Sequence, residues 1–343
     1  MALPSLRALS LCPVGMQAAP MDYDDDDGVE MEVDELPPPS QGPVQRLVSN
    51  ALGRVTEQLV NAPWMLCLQD KDDASLAAAR RVKAFLKQYR TGYAGTRQQF
   101  DDKADQDRYN AAVAAGKRVA VVTLYKPQIL RYIEPPLALV RQRLARLMDR
   151  VATDLDAHIW TGNPNHPRNN MGFEVTYTSE YGEADYFPFH TDMKESGEPA
   201  HLPQNVGDWI FLTMVYYLLD ADAEALARER IGHGSTLYNL SQTPRPDDDT
   251  RVAFCPLANG AITIFNGSKY HAVGPNFGIE RGAVVLKIVL YKRTPYRVWT
   301  PDQWWQRVQA SILRLACARG SNFRHNKHGE EQLCRLLQPP AGV

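Results

Sequence analysis

Three side chains in this sequence could share one metal ion. His190 and Asp192 stand two positions apart in Phe187-Pro188-Phe189-His190-Thr191-Asp192. On a β-strand, residues i and i+2 project to the same side, so an imidazole and a carboxylate can be presented together. A second imidazole, His271, follows the short turn Asn266–Tyr270 that ends an apolar run, Ala261–Phe265. Two histidines and one carboxylate on one face of a divalent ion suit redox-active iron and leave three adjacent coordination positions open. A bidentate co-substrate can take two of these and O₂ the third. Arg281, ten residues after His271, opens the apolar run Gly282–Tyr291. A guanidinium there is costly to bury unless an anion meets it, and a carboxylate held by two parallel hydrogen bonds suits it. Tyr217, inside the apolar run Leu212–Leu219, could add a hydroxyl to that same carboxylate.

These side chains need a scaffold, and the hydrophobic pattern supplies one. From residue 171 onward, short β-type runs follow one another: Phe173–Thr178, Tyr186–Thr191, Trp209–Leu219, Thr236–Leu240, Arg251–Cys255, Ala261–Phe265 and Ala283–Tyr291. Turn-rich stretches separate them, and such a series predicts a sandwich or barrel. Before it, helical spacing runs through residues 44–60, through 74–89 with Asp73 as N-cap, and through 137–158 after Pro135 and Pro136. Val119–Tyr125 is β-rich. Arg141, Arg143, Arg146 and Arg150 fall on one side of the third helix, where a solvated charged face is expected. Helical spacing returns at 301–318 and 328–337. The expected class is α+β. Its divisions are a disordered acidic tail at 1–43, a mainly helical region at 44–165, a β-core at 166–295 and a C-terminal helical cap at 296–343.

Composition narrows the possibilities further. The chain has 343 residues, 44% hydrophobic and 23% charged, as in ordinary globular proteins. It contains no apolar run long enough for a membrane helix, so no membrane partner is expected. Five scattered cysteines without a CxxC pair argue against a disulfide framework or a structural zinc site. The net charge of −2 hides an asymmetry: residues 1–40 carry nine acids and one base, leaving the remainder at +6. An intracellular setting, cytoplasm or nucleus, is expected, with an organelle address in the acid-free residues 1–20 as the alternative.

The stretch 174–291 resembles the Fe(II)/2-oxoglutarate-dependent dioxygenases, whose pattern is HxD, a distal His, and an Arg or Lys about ten residues later. His190, Asp192, His271 and Arg281 match that pattern one by one. Tyr181-Gly182 resembles the "YG" that opens the metal strand in prolyl hydroxylases. Leu212-Thr213-Met214-Val215-Tyr216-Tyr217-Leu218-Leu219-Asp220 resembles the "TxxYYLN" strand of the same branch. Gly234-Ser235-Thr236-Leu237 and His271-Ala272-Val273-Gly274-Pro275 resemble two further stretches of it. The resemblance implies a double-stranded β-helix (jelly-roll) core with flanking helices. It implies Fe(II) on His190, Asp192 and His271, and 2-oxoglutarate anchored by Arg281 with contacts from Tyr217 and Tyr181. It further implies O₂ as co-substrate, ascorbate as a possible reductant, and conversion of 2-oxoglutarate to succinate and CO₂ coupled to hydroxylation or oxidative demethylation.

The 79 positions between Asp192 and His271 exceed what the compact members of this group need. Two insertions explain the excess, Lys194–Gly207 and Ala221 through Asp247–Asp249, and loops of that kind shape substrate entrances. The substrate is therefore open. A protein or peptide residue is favoured by the stretches around Tyr181 and Tyr217. A methylated base in DNA or RNA, as in the AlkB-like and TET/JBP-like branches, is favoured by the basic body. A non-catalytic binding module and a zinc hydrolase are the readings from other classes, and Arg281 has no duty in the second. Tyr177 is a further candidate for the pocket wall, whereas His201, His233, His325 and His328 are expected at the surface. Trp304 and Trp305 are expected to pack or to join domains. The oligomeric state is not indicated.

Overall fold

The computed structural model describes residues 64–91, 121–123, 133–162, 171–178, 187–192, 202, 206–230, 233–240, 242, 252–273, 279–293 and 297–325. The expected tail at 1–43, the helices at 44–60 and 328–337, residues 194–201 and 203–205 of the first insertion, and Tyr181 lie outside them. In chain order the elements are β1 (Met65–Asp70), α1 (Asp73–Thr91), β2 (Val121–Thr123), α2 (Glu134–Asp154), β3 (His158–Trp160), β4 (Gly172–Thr178), β5 (Phe187–His190) and β6 (Asp208–Leu218). They continue with α3 (Ala221–Glu229), β7 (Thr236–Asn239), β8 (Val252–Phe254), β9 (Ala261–Asn266), β10 (His271–Val273), β11 (Arg281–Lys292), α4 (Pro301–Cys317) and β12 (Phe323–His325).

The strands form two antiparallel sheets. The larger has the order β12-β1-β9-β6-β11-β4-β2, with β3 also paired to β11. The smaller has the order β5-β10-β7-β8. This is the jelly-roll core, with helices against one outer face. It draws strands from beyond 166–295: β1 pairs β9, with Met65 opposite Phe265, and β12 pairs β1.

Both faces of the larger sheet are covered, which is why β6 and β11 read as near-continuous apolar runs rather than alternating ones. Register still sorts the side chains. Val284 pairs Tyr216 and Val175, and Leu286 pairs Met214 and Phe173, so this set faces the helices. Ala283 pairs Tyr217 and Thr176, Val285 pairs Val215 and Glu174, and Lys287 pairs Thr213, so this set faces the smaller sheet.

The helices are set by local chemistry. Asp72, rather than Asp73, caps α1: its carboxylate accepts from Ser75 N at 3.0 Å and from Ser75 Oγ at 2.7 Å. Pro135 and Pro136 lie inside the first turn of α2, where proline sacrifices no intrahelical bond, so the helix begins at Glu134 rather than at residue 137. It also ends at Asp154, short of residue 158. Thr300 and Gln303 form a capping box on α4, whose Trp304 and Trp305 are both buried. Inside the stretch assigned to the second insertion, α3 appears with Asp220 as N-cap, accepting from Ala223 N at 2.9 Å.

The expected solvated arginine face is corrected at Arg143, which is buried. Its Nε and Nη2 donate to Asp70 Oδ2 and Oδ1 at 3.1 and 2.6 Å, and Tyr216 Oη donates to Asp70 Oδ2 at 3.0 Å. Its guanidinium also lies 4.7 Å over the Phe323 ring, so one ion pair ties α2, β1, β6 and the β12 strand together. Removing one partner of a buried pair strands the other charge. Asp70→Ala is expected to lower stability by about 3 kcal/mol in urea unfolding. The triple change Asp70→Leu, Arg143→Met and Tyr216→Phe is expected to recover most of that loss.

Candidate functional site

Between the two sheets lies a cavity of about 140 Å³, a size class that holds a benzene-sized molecule. It accommodates a small co-substrate, while anything larger must reach in from the mouth. The smaller sheet supplies the two imidazoles. His271 on β10 pairs directly with His190 on β5, so their rings meet at 4.3 Å between centroids, tilted by 53°. Asp192 is not on the strand, as the two-residue spacing had suggested. β5 ends at His190, and Asp192 sits in the bend beyond it, its N–H donating to Gly267 O at 2.9 Å. The bend still brings the carboxylate round: one donor atom each from His190, Asp192 and His271 lie within 4.8 Å of one another.

Hydrogen bonds aim these groups. With its proton on Nδ1, His271 donates to Lys269 O at 2.9 Å, leaving the Nε2 lone pair facing the cluster. Burial lowers its pKa, so the ring is neutral and ready to ligate. Burial alone would raise the Asp192 carboxyl, but the Lys287 ammonium and the Thr213 hydroxyl help hold it well below the usual carboxylate range. Thr213 Oγ1 donates to Asp192 Oδ2 at 2.6 Å, and Lys287 Nζ lies 3.0 Å from Oδ1.

Arg281 enters the cavity from the start of β11. It is buried, and its Nε and Nη1 have no hydrogen-bond partner among the described residues. The guanidinium lies 5.2 Å over the Tyr217 ring. Burial pulls its pKa below the ordinary arginine value. Tyr217 itself is placed beside Arg281, but its hydroxyl is engaged with Thr236 Oγ1 at 2.7 Å and accepts from Thr236 N at 3.3 Å. Burial pushes this phenol up to about 12, against the pull of Arg281, so it stays protonated. The Tyr177 side chain lies outside the described residues, although its backbone pairs with Gly282 in β4. His233, expected at the surface, is half-buried.

Sequence reasoning missed Glu174, Thr213, Thr236 and Lys287, all of which line the cavity. Lys287 had a readable signal. It is the one charge inside the apolar run Gly282–Tyr291, six positions from Arg281 and therefore on the same side.

No family model matches the sequence, and no curated protein matches it. Solved structures with some overall likeness include AviO1 from Streptomyces viridochromogenes Tue57, at 14% identity over 74% of this chain and 96% of that one, TM-score 0.38. The non-heme alpha ketoglutarate dependent epimerase SnoN from nogalamycin biosynthesis shares 14% identity over 72% of this chain and 81% of its own, TM-score 0.38. A Pseudomonas putida prolyl-4-hydroxylase shares 11% over 72% of this chain and 100% of its own, TM-score 0.28. These likenesses are too distant to bring any residue's role with them.

Gly267 carries a testable demand of the site. A Cβ there would stand 2.2 Å from Phe211 Cδ1 and 2.8 Å from Thr213 Oγ1, and the Gly267 carbonyl holds the Asp192 amide. Gly267→Ala is expected to cost about 1–3 kcal/mol by thermal melting. It is also expected to weaken Mn(II) binding in equilibrium dialysis, because both supports of Asp192 shift.

Proposed function

We propose that this protein is an Fe(II)- and 2-oxoglutarate-dependent dioxygenase that hydroxylates, or oxidatively demethylates, a protein or peptide residue. One observation carries the reading. A two-histidine, one-carboxylate cluster shares a cavity with a buried guanidinium whose Nε and Nη1 have no partner among the described residues. The orphaned donors fit a carboxylate, and the donor set fits iron. His190, Asp192 and His271 would hold the metal, and Arg281 the far carboxylate of 2-oxoglutarate. When bound, that pair supplies the O₂-dependent oxidation and decarboxylation. The chain's own residues orient and shield it. Tyr217 supports the guanidinium from below, and Thr236 fixes the tyrosine. Val215, Phe265 and Val285 line the cavity with apolar surface.

A peptide substrate is supported by the resemblance of Tyr181-Gly182 and of Leu212–Asp220 to prolyl-hydroxylase stretches. The nucleic-acid alternative loses ground with the basic helix face. Arg143 is consumed by Asp70, and Arg141 pairs with Glu134 at 3.8 Å. Only Arg146 and Arg150 of that set remain exposed, flanking Asp149. No helix among the described residues is long and apolar enough to cross a membrane.

Succinate formation from 2-oxoglutarate under Fe(II), ascorbate and air tests the proposal, with proline-rich peptides, methylated DNA and methylated RNA as separate pools. Stimulation by the peptide pool, absent in His190→Ala, is expected. Stimulation by a nucleic-acid pool instead would replace the substrate class, and no succinate anywhere with iron bound would overturn the co-substrate. Arg281→Gln is expected to raise the 2-oxoglutarate requirement roughly 100-fold. Iron binding, measured separately, should stay unchanged.

A further inference from the structure

Asp192 has two oxygens, and the structure treats them differently. Oδ2 lies 3.5 Å from His271 Nε2, on the side of the imidazoles. Oδ1 is held by Lys287 Nζ at 3.0 Å. Lys287 is itself steadied by Glu174 Oε1 at 3.8 Å. Its side chain is only 15% exposed, and that of Asp192 only 5%. An ammonium at this depth is expensive unless its charge is matched, so its placement against one particular oxygen is a specific arrangement. Strand register makes it so. Lys287 on β11 stands opposite Thr213 on β6, both side chains point inward, and both reach Asp192.

We infer that Lys287 is a positioning residue that reserves Oδ1, so that Asp192 offers the metal a single oxygen. The inference rests on the iron and 2-oxoglutarate reading above. Its consequence is a matter of counting positions. Two imidazoles and one oxygen leave three places on a six-coordinate ion, and a chelating 2-oxoacid takes two. A carboxylate free to bind through both oxygens would take the third, and a gaseous co-substrate would have none. Thr213 cannot perform this duty, because its hydroxyl is bonded to Oδ2. Outer groups that orient a ligand are a general requirement of metal sites, and here the orientation decides how many positions stay open.

The test uses full-length protein loaded anaerobically with Fe(II) and 2-oxoglutarate, with nitric oxide as a stand-in for O₂. The iron–nitrosyl signal is read by electron paramagnetic resonance. Wild type and Lys287→Arg are expected to give comparable signals. Lys287→Met is expected to keep iron and 2-oxoglutarate binding but to lose the nitrosyl signal about tenfold or more. A Lys287→Met protein with the wild-type nitrosyl signal overturns the inference. So does one that melts normally but no longer binds iron, since Lys287 would then make the ligand rather than reserve an oxygen. A variant-free measurement runs alongside. Infrared difference spectra of wild type labelled with ¹³C-aspartate, taken on Fe(II) addition, should show the wide carboxylate splitting of one-oxygen coordination. A narrow splitting overturns the inference whatever the variants do. Wild type that binds no iron overturns both this inference and the dioxygenase reading. Normal wild-type loading with an unaltered Lys287→Met spectrum overturns this inference alone.

Discussion

A buried guanidinium, with two donors unpartnered among the described residues, sets the terms for this structure. Burying an unmet charge costs several kcal/mol, and a fold tolerates that only where something offsets it or where a ligand will. Arg281 has the Tyr217 ring beneath it and a cavity before it. The cavity exists because the inward residues of β11 between the two charges are small or modest: Ala283 and Val285 rather than aromatic side chains. The imidazole pair on the facing sheet closes it from the other side. One strand thus carries a cation at each end of a short apolar floor, and the alternation of a single strand organises the site from end to end.

The helix side of the same sheet repeats the theme in a different way. There the buried cation, Arg143, is paired with the Asp70 carboxylate and the Asn322 carbonyl, and Tyr216 donates to the same carboxylate. Its charge is already matched by a carboxylate, so that network is read as structural. The contrast between the two arginines separates a fastening from a binding site. Both are buried, both sit near an aromatic ring, and only one has a carboxylate already in place.

Much of the site was legible because its chemistry is carried by residue types that have few other reasons to be where they are. His190, Asp192, His271 and Arg281 stood out for that reason, and all four reach one cavity. Seven of the eight strands from β4 to β11, those bounded by turns rich in glycine, proline or polar residues, were also visible. What escaped was set by contacts remote in sequence. β1 opens with four apolar residues in a row, Met65–Leu68, with no alternation, because both of its faces are covered. β10 is only three residues long and reads as part of a turn. Arg143 belongs by spacing to a solvated helix face, but it is buried against Asp70 at the end of β1. The Tyr217 hydroxyl was read only toward a ligand, and its bond to Thr236 on the opposite sheet was not foreseen. Asp192 reaches the cavity by a route its spacing did not suggest, since a bend rather than a strand turns it inward.

The pairing of β1 has a consequence for how the chain is made. Its neighbours are β9, some 195 residues later, and β12, later still. As the polypeptide leaves the ribosome, the apolar segment Met65–Leu68 waits without either partner while most of the sequence is synthesised. Through that interval it is a bare edge of the kind that joins strands of neighbouring chains. Aspartates at positions 70, 72 and 73, directly after it, and α1 beyond them bring charge to the end of that segment before the sheet can close. The hazard of late closure falls on the nascent chain, and the acidic turn after β1 stands where it counters it.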